Sequence, residues 1–276
     1  GVDGALLRVL SAGNNRDDFG SSVSCLGDLN GDQYPELLIG APYSGEPDTG
    51  RAYVMSGADG GTLWNYSGES VGDIFGYRAA PVGDVDVDGA VDFAVAAMFN
   101  DGGAANGGRV YIYSGATGDL MRVITGDVES GRLGMAVAGA GDVDYDGYAD
   151  LLIGAVTSTP NSTDTGRVFV YSGRTGRLLH RMLGEAPGSL FGANGGVQNL
   201  GELNSDGLTD WGICALGYDG QYQNMGRTYI LYPCRAEVDV LPGQCPNVWG
   251  KRERSRRDPI LEVDPAGLSF LEVAFV

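Results

Sequence analysis

The chain has 276 residues, of which 36 are acidic and 18 basic, and its formal net charge at pH 7 is −18. Such an acidic balance makes nucleic acid an improbable partner, and no apolar stretch is long enough to insert into a membrane. The hydrophobic fraction of 43% is too high for a disordered chain, so the 47 glycines indicate a folded protein with many tight turns.

A nine-residue acidic segment occurs four times along the chain. The segments begin at Asp28, Asp84, Asp142 and Glu202, so successive starts are 56, 58 and 60 residues apart. A repeat of this length is one supersecondary unit that buries its core against its neighbours. The regular spacing therefore predicts a repeat architecture across most of the chain.

Each unit carries the same predicted elements in the same order. In the first unit these are Phe19-Gly20, the acidic segment, an apolar run at 37–42, a second run at 50–54 and a glycine turn at 56–60. A further strand follows the turn. The runs are short, rich in β-branched and aromatic residues and bounded by glycine, which favours strands over helices. Four strands per unit predict an all-β fold made of β-propeller blades, with four units of four antiparallel strands.

The repeats are predicted to occupy residues 1–232, in units of about 1–56, 57–114, 115–172 and 173–232. Residues 233–276 are predicted to be a linker or short tail with a partial C-terminal module. The chain opens inside a hairpin turn, as expected for a piece of a longer array. Residues 6–10 would form a fourth strand, while 192–232 supply only three. The first strand could therefore close a small ring, but we favour an open arc.

Side chains that carry oxygen recur at positions 1, 3, 5 and 9 of each acidic segment. The backbone carbonyl of position 7 is also expected to point inward. These five positions are Asp28, Asn30, Asp32, Tyr34 and Glu36 in the first segment; Asp84, Asp86, Asp88, Ala90 and Asp92 in the second; Asp142, Asp144, Asp146, Tyr148 and Asp150 in the third; and Glu202, Asn204, Asp206, Leu208 and Asp210 in the fourth.

Hard oxygen donors in this number suit Ca²⁺, which accepts six to eight oxygens, and the segments lack the His and Cys that zinc or copper would favour. A helix–loop–helix calcium hand would need a glutamate at position 12, where this chain has apolar residues such as Ile39 and Val95. Turn formation alone is the competing interpretation, but it gives the position 9 acid no purpose.

The copies differ in the number of ligands that they offer. Asp84 and Asp142 head the fullest copies, whereas Gln33 replaces glycine in the first and Glu202 opens a fourth copy with only two aspartates. The sequence thus predicts three Ca²⁺ sites and a degenerate fourth.

The pattern resembles the FG-GAP repeat, which is the blade of the integrin α-chain β-propeller. Phe19-Gly20, the segment 27–36 and the run 38–42 carry the resemblance most fully, while Leu133 replaces phenylalanine in the third unit. The resemblance covers about residues 1–232 and implies blades around an axis, with calcium loops between first and second strands. Integrin propellers have seven such units. The wider family includes many bacterial cell-surface or secreted proteins.

Several residues outside the acidic segments are assigned structural roles. His180, the single histidine, is expected on an outward strand face, and no second base accompanies it. Cys25 and Cys214 are expected to be small buried thiols. Cys234 and Cys245 could form a disulfide in an oxidising compartment.

The favoured function is an extracellular or cell-surface binding or adhesion module for a protein or glycan ligand. Recognition is expected on the loops between second and third strands, at 43–49, 98–107, 156–165 and 216–225. These loops carry Tyr43, Phe99, Tyr218 and Tyr222. The alternatives are a lectin, or an accessory propeller of a secreted enzyme that degrades polysaccharide or lipid. The chain itself is predicted not to be an enzyme, because no acid–base set stands outside the calcium loops.

Overall fold

The computed structural model describes residues 6, 8–11, 16–45, 48–156, 165–218, 226–235 and 268–274. These residues form β-strands joined by turns and bends, and no helix occurs among them. There is consequently no helix in the described part of the chain with the length and apolarity needed to cross a bilayer.

The strands group into four antiparallel sheets of four strands each. The first sheet contains β1 (Ser22–Gly27), β2 (Glu36–Ala41), β3 (Arg51–Met55) and β4 (Thr62–Ser67); the second contains β5 (Phe75–Gly83), β6 (Asp92–Ala97), β7 (Arg109–Tyr113) and β8 (Leu120–Thr125); the third contains β9 (Ala136–Gly141), β10 (Asp150–Ala155), β11 (Arg167–Tyr171) and β12 (Leu178–Leu183); the fourth contains β13 (Val197–Gly201), β14 (Asp210–Ala215), β15 (Arg227–Arg235) and β16 (Leu268–Ala274).

Every sheet is a meander whose neighbours in space are neighbours in sequence. In the first sheet, for example, Ile39 pairs with Val23 on one side and with Tyr53 on the other. A four-stranded antiparallel meander is the structure of a propeller blade. The predicted all-β class and the blades of four strands are therefore confirmed.

The fourth sheet obtains its last strand from the C-terminal segment. β16 pairs with β15 from Tyr229↔Ala274 to Arg235↔Leu268. Residues 192–232 supply three strands, as predicted, and the fourth comes from residues 268–274 and not from the N-terminal segment 6–10. The division into residues 1–232 and 233–276 stays a prediction.

The described part of the N-terminus forms no strand, contrary to the expectation for residues 6–10. Leu6 is 80% exposed, whereas Leu10 packs against the small core cluster of the first sheet. The guanidinium of Arg8 donates to the backbone carbonyls of Ala58 and Asp59 in the β3–β4 turn. These contacts hold the segment beside the first sheet.

The chain divides into two compact units, each with its own core. In the first unit, residues 1–81 and 88–134, the rings of Phe93 and Tyr113 stack at 5.5 Å and Trp64 stacks on Phe93 at 6.4 Å. In the second unit, residues 82–87 and 135–276, the indole of Trp211 is fully buried and donates to the Ala140 carbonyl at 3.0 Å.

Glycines at matching positions allow consecutive sheets within a unit to approach closely. A Cβ on Gly40 would fall far inside contact distance of the Gly76 carbonyl oxygen, and a Cβ on Gly154 would meet the Gly192 carbonyl oxygen in the same way. Gly40 and Gly154 lie in apolar second strands, while Gly76 and Gly192 follow the phenylalanine of the next repeat. The two recurring glycine motifs thus form one backbone contact.

Two residues lie in environments that differ from their predictions. His180 is buried at 7% exposure in β12 rather than outward-facing. Cys25 is exposed and Cys214 is half-buried, so neither is a buried thiol. Cys25 lies on β1, the edge strand of the first sheet, where one face has no covering element among the described residues. Cys245 lies outside the described residues, so the disulfide stays a prediction.

We expect Gly154→Ala to lower the free energy of unfolding by roughly 2–4 kcal/mol, because backbone atoms would have to move to admit the methyl group. Gly72→Ala is the matched control, since its surroundings are open and only its positive φ of 83° opposes the change. That control should lose about 1 kcal/mol. Urea denaturation measures both, and equal losses would contradict the close-contact explanation.

Candidate metal centre

Each acidic segment forms the loop between the first and second strands of its sheet. In the third sheet, β9 ends at Gly141 and β10 begins at Asp150, so positions 1 to 8 form the loop and position 9 starts a strand. The other three sheets repeat this placement. The loops therefore lie where the repeat pattern predicts them.

The loop backbone adopts the left-handed conformation at two alternate positions. Position 6 has positive φ in all four copies, and Gln33 at 73° takes the same conformation as the glycines of the other loops. Position 4 also has positive φ, including Val87 at 65°, Tyr145 at 59° and Ser205 at 63°. Each such residue without glycine's freedom costs about 1–2 kcal/mol. The sequence predicts the left-handed conformation at position 6, because three of the four copies have glycine there. It does not predict the same conformation at position 4, where the residue types are mixed.

The acidic side chains at positions 1 and 5 accept hydrogen bonds from the loop's own backbone. In the third loop, Asp142 accepts from the amides of Asp146 at 3.0 Å and Gly147 at 2.9 Å. Asp146 in turn accepts from the amide of Tyr148 at 3.1 Å. In the fourth loop Glu202 accepts the equivalent bonds from the amides of Asp206 and Gly207. These bonds point the carboxylates toward the inside of the loop.

The position 9 carboxylates are fully buried, and that of Asp150 bonds to two turns. Asp150 accepts from the amide of Val143, at position 2 of its own loop, at 2.8 Å, and from the amide of Gly173, in the β11–β12 hairpin, at 3.1 Å. Asp92 accepts from the Gly115 amide of the β7–β8 hairpin at 2.8 Å. The expectation that this acid has no part in the turns is wrong, because it binds backbone donors from both.

Carboxylate oxygens converge in the second and third loops. Asp84, Asp86 and Asp92 offer oxygen atoms that all lie within 4.8 Å of one another. Oxygens of Asp142, Asp144 and Asp146 converge to the same degree. Within the described residues, no other group of three acidic, His or Cys side chains comes together in this way.

An asparagine side chain bonds to neighbouring carboxylates in the first and fourth loops. Asn30 donates to Asp32 and to Glu36, each at 3.1 Å, and Asn204 donates to Asp206 at 2.9 Å. Asp28 and Asp210 remain in the predicted positions, bonded to the amides of Gly31 and Leu203. At position 7, Tyr34, Ala90, Tyr148 and Leu208 each donate their amide to the position 5 carboxylate.

Burial and mutual repulsion perturb the acids of the third and fourth loops. Desolvation raises the pKa of Asp150 to about 7, although the amides of Val143 and Gly173 oppose the shift. Desolvation, followed by the charge of Asp146, raises the pKa of Asp144. Desolvation also raises the pKa of Asp210. Carboxyls that resist ionisation in the metal-free loop would be stabilised as carboxylates by a cation.

The donors of the second and third loops fit a hard divalent cation. All of them are carboxylate or backbone oxygens, and at least three from each loop meet at one point. The half-buried head residues Asp84 and Asp142 and the exposed Asp86 and Asp144 leave that point open to solvent. Such a set matches the oxygen preference of Ca²⁺.

The β6–β7 loop, which joins the second and third strands of the second sheet, forms a cavity together with the connection between β4 and β5. It encloses about 440 Å³ and is lined by residues 69–73 and by the β6–β7 loop, including Phe99, Asn100 and Asp101. Asp73 is buried and accepts from the Asn100 side chain at 2.7 Å. Tyr43 is 44% exposed, and Tyr218 is covered by the Arg227 guanidinium at 3.8 Å. Tyr222 lies outside the described residues.

Comparison with known proteins finds similarity both in individual repeats and along nearly the whole chain. The family model described as FG-GAP repeat matches residues 19–55 and 133–171. Integrin alpha-5 of Xenopus laevis is 28% identical over 289 residues, which cover 98% of this chain and 26% of the relative. Integrin alpha-V of Gallus gallus is 36% identical over 154 residues, covering 50% of this chain and 15% of the relative.

Among solved structures, one titled "Structure of Dos1 propeller" superimposes with a TM-score of 0.43 and 13% identity, covering 77% of this chain and 43% of that one. The chain spans about a quarter of the length of the first integrin relative and a smaller share of the second.

The blades and their acidic loops define an all-β repeat protein of the propeller class. More particularly, residues 19–55 and 133–171 match the FG-GAP repeat, and the chain is similar to integrin α chains along nearly its whole length.

We predict that the metal-free protein loses stability as pH rises from about 4 to about 7. The pKa of Asp150 is about 7 in the folded state, against 3.8 as the ordinary value. Between these two pH values the folded state therefore binds more protons than the unfolded state does. The stability that this protonation provides is lost as pH rises through 7. The loss should be on the order of 2 kcal/mol.

Thermal denaturation in a chelator at pH 5 and pH 8 measures this loss. Asp150→Asn, which cannot ionise, should reduce the difference between the two pH values. An unchanged difference in the variant would contradict the assignment to Asp150.

Proposed function

We propose that this chain is an extracellular, calcium-stabilised binding module that recognises a protein or glycan ligand and does no catalysis itself. The observation that carries the proposal is the convergence of three carboxylates in both the second and the third loop. Similarity to integrin α chains over 98% of the chain supports a binding role.

Calcium would act on stability rather than on chemistry. Four aspartates in one short loop repel one another, and a dication bound among them removes the repulsion. The metal would thereby lock each loop to the hairpin that shares the position 9 carboxylate. Modules that meet extracellular calcium commonly bind it with dissociation constants of about 10⁻⁴–10⁻³ M. This range suits a module at the cell surface or in secreted material.

The four loops would differ in affinity. The second and third have four aspartates each and converging oxygens. The first would bind after its Asn30 amide turned to present oxygen, because the Asn30 nitrogen now bonds to Asp32 and Glu36. The fourth, headed by Glu202 with Asn204 at position 3, would bind most weakly.

Ligand recognition would use the β2–β3 and β6–β7 loops and their equivalents. The β6–β7 loop and residues 69–73 provide a cavity of about 440 Å³ with exposed Val71 on its wall. Buried bonds such as Asn100 to Asp73 hold the loop in shape without a ligand. A rigid frame under variable loops is the usual arrangement for specific recognition.

We expect Ca²⁺ titration by calorimetry to show binding, with a rise in melting temperature. Asp86→Asn and Asp144→Asn each remove one charged ligand from a converging set, and each should weaken its site at least about tenfold. Asp119→Asn removes a nearby acid from outside the loops and serves as the control. No binding heat and no thermal shift in the unchanged protein would refute the calcium proposal.

We predict that Val71→Arg abolishes ligand binding while leaving the melting temperature within about 1 °C, because Val71 is 63% exposed on the cavity wall. Val123→Arg, on the outer strand β8, is the control for added charge. A glycan array and a panel of immobilised extracellular matrix proteins identify the ligand. If Val71→Arg still bound the ligand, the recognition surface would have to lie outside this cavity.

A further inference from the structure

The hairpin docked on the third acidic loop carries a cationic residue at a position where the hairpin of the second loop has alanine. The β11–β12 hairpin docks on this loop through the bond from the Gly173 amide to Asp150. The next residue, Arg174, holds its guanidinium 4.0 Å from the Asp146 carboxylate and 4.7 Å above the ring of Tyr148. Asp146 and Tyr148 occupy positions 5 and 7 of the loop. The guanidinium therefore lies beside the converging oxygens.

The second loop provides an internal comparison with the same ligand chemistry. Its hairpin docks in the same way, through the Gly115 amide on Asp92. The residue that corresponds to Arg174 is Ala116, and the hairpin ends in Asp119 where the third has Arg177. Both loops carry four aspartates, and the hairpins docked on them differ in charge.

The position of Arg174 has two opposite electrostatic consequences. Without metal, its positive charge relieves repulsion among the aspartates. With metal, the same charge repels the incoming dication and competes with it for Asp146. Because the Arg174 side chain is 54% exposed, solvent screens both effects to a modest size.

We propose that Arg174 is a built-in counter-cation that weakens divalent-cation binding at the third loop and stabilises that loop when it is empty of metal. The inference rests on the proposed function of these loops as cation sites.

Terbium luminescence excited through tyrosine gives a readout of the third loop. Tyr145 and Tyr148 lie in this loop, whereas Val87 and Ala90 stand at the same positions in the second. The part of the emission that Asp144→Asn abolishes belongs to the third site. Titrations of Tb³⁺, and of Ca²⁺ in competition, then give the affinity of that site in the full chain.

Arg174→Ala should tighten binding at the third site about three- to tenfold, while Arg174→Lys should stay close to the original affinity. The reciprocal change Ala116→Arg should weaken the second site, measured by calorimetry, by a similar factor. In a chelator, Arg174→Ala should melt at a lower temperature than the unchanged protein. A merely structural arginine would lower stability and affinity together, so the opposite signs identify the counter-cation.

Equal third-site affinity in Arg174→Ala and the unchanged protein would overturn this inference and leave the calcium proposal standing. A third site without terbium emission in either protein would overturn both. A weaker third site in Arg174→Ala would also refute the inference, because it would mean that Arg174 supports the bound state.

Discussion

A buried carboxylate at the start of the second strand is the group on which each repeat depends. Glu36, Asp92, Asp150 and Asp210 are all fully buried. A carboxylate that is buried away from solvent needs hydrogen-bond donors or a cation. Backbone amides of the loop act as donors here, and in the second and third sheets an amide of the hairpin does so as well. The charge that remains favours a cation in the same loop. One side chain thus links the start of the second strand, the shape of the loop and the proposed metal site.

The four loops share one fold but differ in the groups that lie beside their carboxylates. In the first and fourth loops, the amide groups of Asn30 and Asn204 bond to carboxylates that would otherwise repel one another. The second loop keeps four aspartates and has no basic residue in its hairpin. The third has Arg174 beside Asp146. Under the proposed function, calcium dependence would be graded along the chain and not equal in every repeat.

Much of the fold could be predicted from sequence because its constraints are local and repeated. The spacing of the acidic segments, the glycine turns and the short apolar runs give the four sheets in order. Three features could not be predicted for physical reasons. The pairing of β16 with β15 is a long-range contact without a pattern of its own, and the left-handed backbone of Val87 and Tyr145 runs against residue preference. The burial of His180 depends on the surroundings of β12 and not on the local pattern.

The acidic positions were predictable as a set, but their arrangement was not. Sequence gives four similar loops, whereas the carboxylates converge in the second and third alone among the described residues. That difference follows from which side chain occupies position 3, an aspartate or an asparagine whose nitrogen bonds to its neighbours. The role of the recurring glycines could not be predicted either. Gly154 and Gly192 are far apart in sequence and come into contact only when the sheets pack.

The most direct test of the central claim is a crystal structure with calcium, using anomalous scattering to locate the ions. The account predicts peaks inside the second and third loops, about 2.3–2.6 Å from oxygens of Asp84, Asp86 and Asp92 and of Asp142, Asp144 and Asp146. Crystals grown in millimolar calcium with no peak in either loop, and with these carboxylates directed into solvent, would contradict it.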